Sequence, residues 1–276
     1  MPLSISTNIA SLSAQRSFLT SNAALETSYE RLASGKRINS SSDDAAGLAI
    51  ATDLLSRVSG TNQAIRNVND GISMVQIMEG TYDEVTSILQ RMRDMAVQAA
   101  NGSLSSTEKG YLETEQNLLV TALNDAMNQA KFSSTDLVSD TSAGAVSVTI
   151  QSGAGTGDTV SISLSTASAN NATTLGVGAV DLSSDGTAAI GTVDAALTLV
   201  ATQRATLGAH QAQLESTVRN LANVAENTAA AAGRIMDTDY AAETANLTKA
   251  QILQQAATSV LAQANAQPQA VLSLLQ

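Results

Sequence analysis

Apolar positions recur at alternating three- and four-residue steps over much of this 276-residue chain, the spacing that puts side chains on one face of an α-helix. The longest run is Ile190, Val193, Leu197, Val200, Arg204, Leu207, Gln211, Leu214, Val218, Leu221 and Ala225. It keeps the step without a slip and predicts one long helix, in which the polar members Arg204 and Gln211 fix register at some cost in stability. Near the N-terminus Ile5, Ile9, Leu12, Leu19 and Ala23 obey the same rule once Arg16 takes one position. They predict a coiled-coil helix, and Leu25, Tyr29 and Leu32 continue it on an adjacent seam until LASGKRINSSSDD interrupts with Gly, Ser and Asn. Ser41 or Ser42 with Asp43 and Asp44 then reads as a helix start, because hydroxyls and carboxylates cap free amides and acids favour the positive end of the dipole.

The next helix is expected from about Asp44 to Ala100, with Ile65, Val68, Ile72, Val75 and Tyr82 on one seam and Ile88, Met92 and Met95 on a shifted one. Asn101-Gly102 ends it. Ser105-x-x-Glu108 forms a capping box for a further helix that carries Leu112, Leu119, Ala122 and Ala126 on one face. Residues 146–150 and 159–165 alternate apolar with hydroxyl side chains around the glycine-rich QSGAGTGD, which predicts a hairpin of two half-buried strands. Gly233 and the acidic MDTDYAAET mark a second break. A last helix follows on Leu247, Ala250, Ala257, Leu261 and Ala264, its stripe widened by Leu253, Ala256 and Val260, with Pro268 expected to end or kink it.

This pattern predicts a mainly α fold: a long antiparallel helical rod or coiled-coil bundle with a small β-hairpin region and paired terminal helices. Residues 1–42 with 234–276 would form a terminal-helix domain, 43–132 with 187–233 a helical core domain, and 133–186 a short Ser/Thr-rich insertion. The terminal stripes are wide and the pair is short. Its ends are therefore expected to order fully only where many copies bury them together.

Composition narrows the function. With no Trp and only 2% aromatic residues, burial must come from aliphatic side chains along helices. The net charge of −11 opposes phosphate backbones, and no aromatic platform exists for single strands, so nucleic acid is not an expected partner. The absence of cysteine removes disulfides, thiolate metal sites and thiol nucleophiles together. No stretch approaches the ~18 apolar residues of a membrane span, and MPLSISTNIASLSAQRS lacks the charged and apolar regions of a cleaved leader. The one histidine, His210, stands in HQAQL without a metal-peptidase pattern, and GAGTG lacks the Lys-Ser/Thr ending of a phosphate loop. An enzyme is not expected, and neither a cofactor nor a metal is implied.

Several longer motifs carry a resemblance. LASGKRINSSSDDAAGLAIA (32–51), NDGIS (69–73), LQRMRDMAVQAANG (89–102), DTDYAAET (237–244) and AQILQQAATSVLAQANAQPQAVLSLLQ (250–276) closely resemble bacterial flagellin, over roughly 1–132 and 190–276. The resemblance implies paired terminal helices, a helical core domain and only a minimal outer insertion. It further implies subunits exported unfolded through the flagellar type III apparatus, without a cleaved signal peptide, that polymerise outside the cell into the flagellar filament used for swimming. The implied partners are further copies of the chain, an export chaperone, and the cap and junction proteins. On this basis the assembly residues are Ile5, Ile9, Leu12, Leu19 and Ala23 with Leu247, Leu253, Ala257, Val260, Leu261, Ala264, Leu272 and Leu275.

The resemblance also extends to the motif by which the vertebrate toll-like receptor for flagellin contacts the long core helix. Gln90, Arg91, Arg93, Ala96, Val97 and Gln98 match it, Met95 stands where Leu is usual, and Glu115 matches a supporting acid, so that Gln90, Arg91, Met95 and Glu115 are the implied receptor contacts. The nearest alternative reading is a hook–filament junction protein of few copies. An enzyme or adhesin on a coiled-coil stalk would need a head that the small, bland middle does not provide.

Overall fold

A computed structural model of the chain describes residues 8–138, 147–163, 171–183 and 186–273, with 267–273 as backbone. Five helices dominate, as the periodicity predicts: α1 (Ile9–Ser34), α2 (Ala45–Ala99), α3 (Ser106–Gln129), α4 (Gly186–Met236) and α5 (Tyr240–Ser273). Their ends follow capping chemistry. The Asn8 side chain accepts from the Ser11 amide at 3.1 Å, and Asp44 Oδ1 accepts from the Gly47 amide at 2.9 Å at the start of α2. At α3 the expected capping box is complete, with the Ser105 amide donating to Glu108 Oε2 at 2.8 Å and the Glu108 amide to Ser105 Oγ at 3.4 Å. Gly35, at φ 71°, closes α1 in the left-handed conformation that a residue with Cβ resists.

The second break falls within the expected acidic segment, between Met236 and Tyr240. Gly233 lies inside α4, which runs on to Met236, and α5 continues through Pro268 to Ser273 instead of ending there.

The chain divides into two compact units, within Met1–Ser56 with Asn227–Gln276 and within Arg57–Glu226. The second holds the larger core. From α2 it takes Val68, Val75, Met78, Tyr82, Val85, Leu89 and Met92, from α3 Leu123 and Met127, and from α4 Val193, Ala196, Val200, Leu207 and Leu214. Four of these α4 positions, Val193, Val200, Leu207 and Leu214, are ones the unbroken heptad run marks; Ala196 lies beside it, and Leu197 of the run is only partly buried. On α2, Ile65 and Ile72 are only half-buried. On α3 the inward row includes Gln116, with 1% of its surface exposed, while Ala122 faces solvent. An apolar count misses Gln116 because it is polar.

Arginines tie α4 to α2. Arg204, on the predicted seam, reaches Glu79 at 2.7 Å and Asp83 at 3.2 Å, and Arg93 meets Asp194 at 2.6 Å. Register is therefore read by charge as well as by packing.

The hairpin forms where alternation places it. β3 (Ser147–Gln151) and β4 (Thr159–Ser163) pair antiparallel, with Ile150 opposite Val160 and Val148 opposite Ile162. Ile150 and Ile162 are buried in the same core, Ile150 seated where Gly71 of α2 has no side chain. A second, very short hairpin was not expected from the sequence: β1 (Lys131–Phe132) pairs with β2 (Thr135–Asp136) around Ser133, at φ 55°. Two-residue strands are too short to show alternation. Beyond it Leu137, Val138, Ala172, Leu175 and Val177 are also buried, so the middle segment contributes to the core of this unit.

Close approach predicts the effect of two glycine substitutions. A Cβ on Gly186 would stand 2.4 Å from the Ala100 amide nitrogen and 2.7 Å from the Ala99 carbonyl carbon, and backbone cannot swing aside as a side chain can. Gly186→Ala should lower unfolding free energy by about 1–3 kcal/mol. Gly80 sits in α2 with nothing within 4 Å of the added atom, so Gly80→Ala should raise it by about 0.5–1 kcal/mol. Denaturant melts of the two variants beside the parent check both signs.

Candidate assembly surface

Within the first unit α1 and α5 lie antiparallel, and the face they share is made of small and polar residues. Ser11, Ala14 and Ser28 of α1 are buried against Glu243, Ala250, Ala257 and Ala264 of α5. Hydrogen bonds run the length of the pair. Asn8 Nδ2 donates to the Ala264 carbonyl at 2.7 Å, Ser11 Oγ to Asn265 Oδ1 at 2.7 Å, Gln254 Nε2 to Asn22 Oδ1, and Gln251 Nε2 to the Tyr29 hydroxyl at 3.2 Å. Arg31 stands 3.8 Å from Glu243 at the far end. Residue numbers rise along one helix as they fall along the other, so each bond specifies one register.

On α1 the aliphatic seam is not the face that meets α5. Ile9, Leu12 and Leu19 are 71%, 55% and 67% exposed, and Ala23 is exposed too. The spacing is helical as predicted, but two stripes share that spacing, and the one that finds partners on α5 is the stripe of Asn, Ser and Ala. On α5 the seam Leu247, Ala257, Leu261 and Ala264 does face α1, whereas Leu253 and Val260, joined by Ile252, point away, with Ile252 60% exposed. Leu272 lies on the α5 backbone; Ile5 and Leu275 lie outside the described residues. The pair thus presents aliphatic side chains outward from both helices.

The breaks beside the pair are joined to each other. Lys36 forms an isolated antiparallel bridge with Asp237. The Thr238 amide donates to the Gly35 carbonyl at 3.0 Å and the Arg37 amide to the Met236 carbonyl at 2.6 Å, while Arg37 Nη2 reaches the Ile235 carbonyl at 2.8 Å. Tyr240 fills the space over Gly35, its hydroxyl 3.0 Å from where a Cβ would lie. The motif 32–51 then reads as a helix stop, a bridge and a turn, followed by the cap of α2. In the turn Asp43 Oδ2 accepts from the Asn39 and Ser40 amides, each at 3.0 Å. Chiefly the Ser40 amide, then that of Asn39, hold the Asp43 carboxyl below the usual carboxylate range. No local signal could have revealed that the two breaks meet, since they are far apart in the chain.

On α2 and α3, Gln90 and Arg91 are exposed, and Arg91 pairs with Glu115 at 2.7 Å. Met95 does not belong with them. It is 1% exposed, packed with Ala96, Ala99, Leu182 and Ala189, because its position on α2 faces inward; it is a core residue and cannot touch a receptor. Among the described residues no group of three or more His, Cys, Asp or Glu could hold a metal ion, and no helix is long and apolar enough to cross a membrane.

The family model described as the bacterial flagellin N-terminal helical region matches residues 5–143, and that of the bacterial flagellin C-terminal helical region matches 190–275. The chain belongs to the bacterial flagellin family. A flagellin of Halalkalibacterium halodurans is 39% identical over 274 residues, covering 99% of each chain. The flagellar filament 31.3 kDa core protein of Treponema maltophilum is 36% identical over 284 residues, again covering 99% of each. Flagellin A of Vibrio anguillarum is 33% identical in an alignment of 382 positions that covers both chains in full, so that relative carries a long stretch with no counterpart here. A putative flagellar hook-associated protein from Vibrio parahaemolyticus shares the fold alone: TM-score 0.56, 17% identity, 71% of this chain and 100% of that one. This flagellin is a structural subunit of the flagellar filament, and it assembles with copies of itself.

The lowered Asp43 pKa gives the joint of this flagellin a defined pH response. Its stabilisation is fully present above the ordinary carboxylate value near 3.8 and is lost as pH falls through the lower folded value. Thermal melts down the acid range should show the parent losing its advantage over Asp43→Asn only below that ordinary value, with the two differing at neutral pH. Equal melting at neutral pH would mean the two amide bonds contribute nothing.

Proposed function

We propose that the outward aliphatic stripes of α1 and α5 are the contacts by which subunits join, and that the polar inner face fixes the geometry in which those stripes are presented. The observation that carries this is the exposure of Ile9, Leu12, Leu19, Ile252, Leu253 and Val260 on a pair whose own interface is already filled. A heterologous contact of this kind, repeated without closing, generates a helical filament. On the same reading the chain travels unfolded through the type III apparatus, meets an export chaperone, the cap and the junction proteins, and performs no catalysis.

Polymerisation assays with electron microscopy test it. Leu12→Asp and Ile252→Asp change residues already in water, so helicity and thermal stability of the monomer should hold. Each removes burial worth about 1.5–3 kcal/mol in the polymer, so the critical concentration should rise about ten-fold or more. Ala257→Asp, inside the pair, should instead damage the monomer itself. Normal filaments from both outward variants would sink the proposal.

A second reading, recognition of the monomer by the vertebrate toll-like receptor, rests on the exposed Arg91–Glu115 pair beside Gln90. Arg91→Ala should weaken reporter-cell signalling while the melting curve barely moves, since an exposed ion pair contributes about 0–1 kcal/mol. Unchanged signalling would remove this reading.

A further inference from the structure

The turn between α2 and α3 holds the chain's one Asn-Gly step, Asn101-Gly102. Neither residue is helical, since α2 ends at Ala99 and α3 begins at Ser106, and both are exposed. Asn101 Oδ1 accepts a hydrogen bond from the Ser103 amide at 3.2 Å. The amide of Gly102 donates to no partner among the described residues, and a Cβ on Gly102 would meet nothing within 4 Å. The backbone nitrogen that follows Asn101 is therefore free, unshielded and next to a residue with no side chain to obstruct it. The side-chain carbonyl it would attack is polarised by a donor.

We propose that Asn101 is a site of spontaneous covalent modification in this protein. The Gly102 nitrogen attacks Asn101 Cγ and loses its proton, the bond from Cγ to Nδ2 breaks, and ammonia leaves, closing a five-membered succinimide. Water then opens the ring at either carbonyl, giving aspartate or isoaspartate at position 101. One water enters and one ammonia departs, so no oxidant, cofactor or enzyme is required.

The other asparagines with defined surroundings are protected by the same criteria, except Asn8, which is followed by the branched Ile9 in place of a glycine. Those inside the helices have the next amide held in or against the helical ladder. The amide after Asn39 is Ser40's, bound to Asp43, and the amide after Asn171 is Ala172's, bound to Asn124 Oδ1 at 2.9 Å. Gly71 and Gly186, which follow aspartates in the sequence, are packed against Ile150 and against the Ala99–Ala100 backbone.

Each event adds a negative charge to the turn, and the isoaspartate outcome also inserts an extra backbone carbon between α2 and α3. Because the change accumulates without a catalyst, the acidic fraction records how long a folded subunit has existed.

The test is to incubate purified full-length protein at mildly alkaline pH, follow charge forms by isoelectric focusing, and locate the change by peptide mass mapping with an isoaspartate-specific methyl-transfer assay. The expected result is an acidic form that grows with time, its modification in the peptide spanning Asn101 and partly isoaspartate. Gly102→Ala should slow it several-fold, and Asn101→Ser should leave a single charge form over the same period. Gly102 has room for the added methyl and no positive φ, so both variants should melt with the parent. An unmodified Asn101 in aged protein, or an unchanged rate in Gly102→Ala, would overturn the proposal.

Discussion

The hydrogen-bonded face between α1 and α5 is the constraint on which the outer surface depends. Each of its bonds contributes a net of about 0.5–1.5 kcal/mol, a modest return for ordering two long helices. What the bonds supply is uniqueness. Asn8 with Ala264, Ser11 with Asn265 and Asn22 with Gln254 can all be made in only one register. Alanine and serine at the contact let the helices approach closely, and with these residues inside, the aliphatic ones are left outside. A pair built to be stable alone would place Leu12 and Ile252 between its helices. This one places them in water, which suits a surface completed by other subunits.

The second unit follows the opposite rule and reads as an ordinary core. Its aliphatic seams face inward, the middle segment adds Leu137, Ile150, Ile162 and Leu175 to the same cluster, and the arginine contacts between α2 and α4 give that packing its register. Tyr82 is fully buried there, and burial pushes its phenol pKa up, so the ring acts as a neutral apolar anchor. The difference between the units is thus a difference in where large side chains go, not in helix chemistry. Polar bonds organise one, hydrophobic burial the other.

Those rules decide how much could be read beforehand. The α4 heptads, the Ser105–Glu108 box and the Val148–Ile162 hairpin were legible because each is a local pattern whose neighbours obey it. Which face of α1 meets α5 was not, because the stripe of Asn, Ser and Ala shares the helical spacing of the aliphatic one. Gln116 was missed as a polar residue at a core position. For Met95 the seam spacing and the receptor motif point opposite ways, and its burial on the inward face of α2 agrees with the spacing. The bridge between Lys36 and Asp237 has no local signature at all. The break near Gly233 falls three residues later, within the acidic segment that also marks it, and the helix runs on through Pro268.

The absence of cysteine makes one measurement especially direct, because any introduced thiol is the only one present. Leu12→Cys and Ala14→Cys sit two residues apart on α1, one outward and one against α5. Maleimide labelling of each, as monomer and as assembled filament, separates the two faces. If the outward stripe is the subunit contact, the thiol at 12 reacts in the monomer and becomes protected in the filament, while the thiol at 14 is protected in both. A thiol at 12 that stays as reactive in the filament as in the monomer would contradict it.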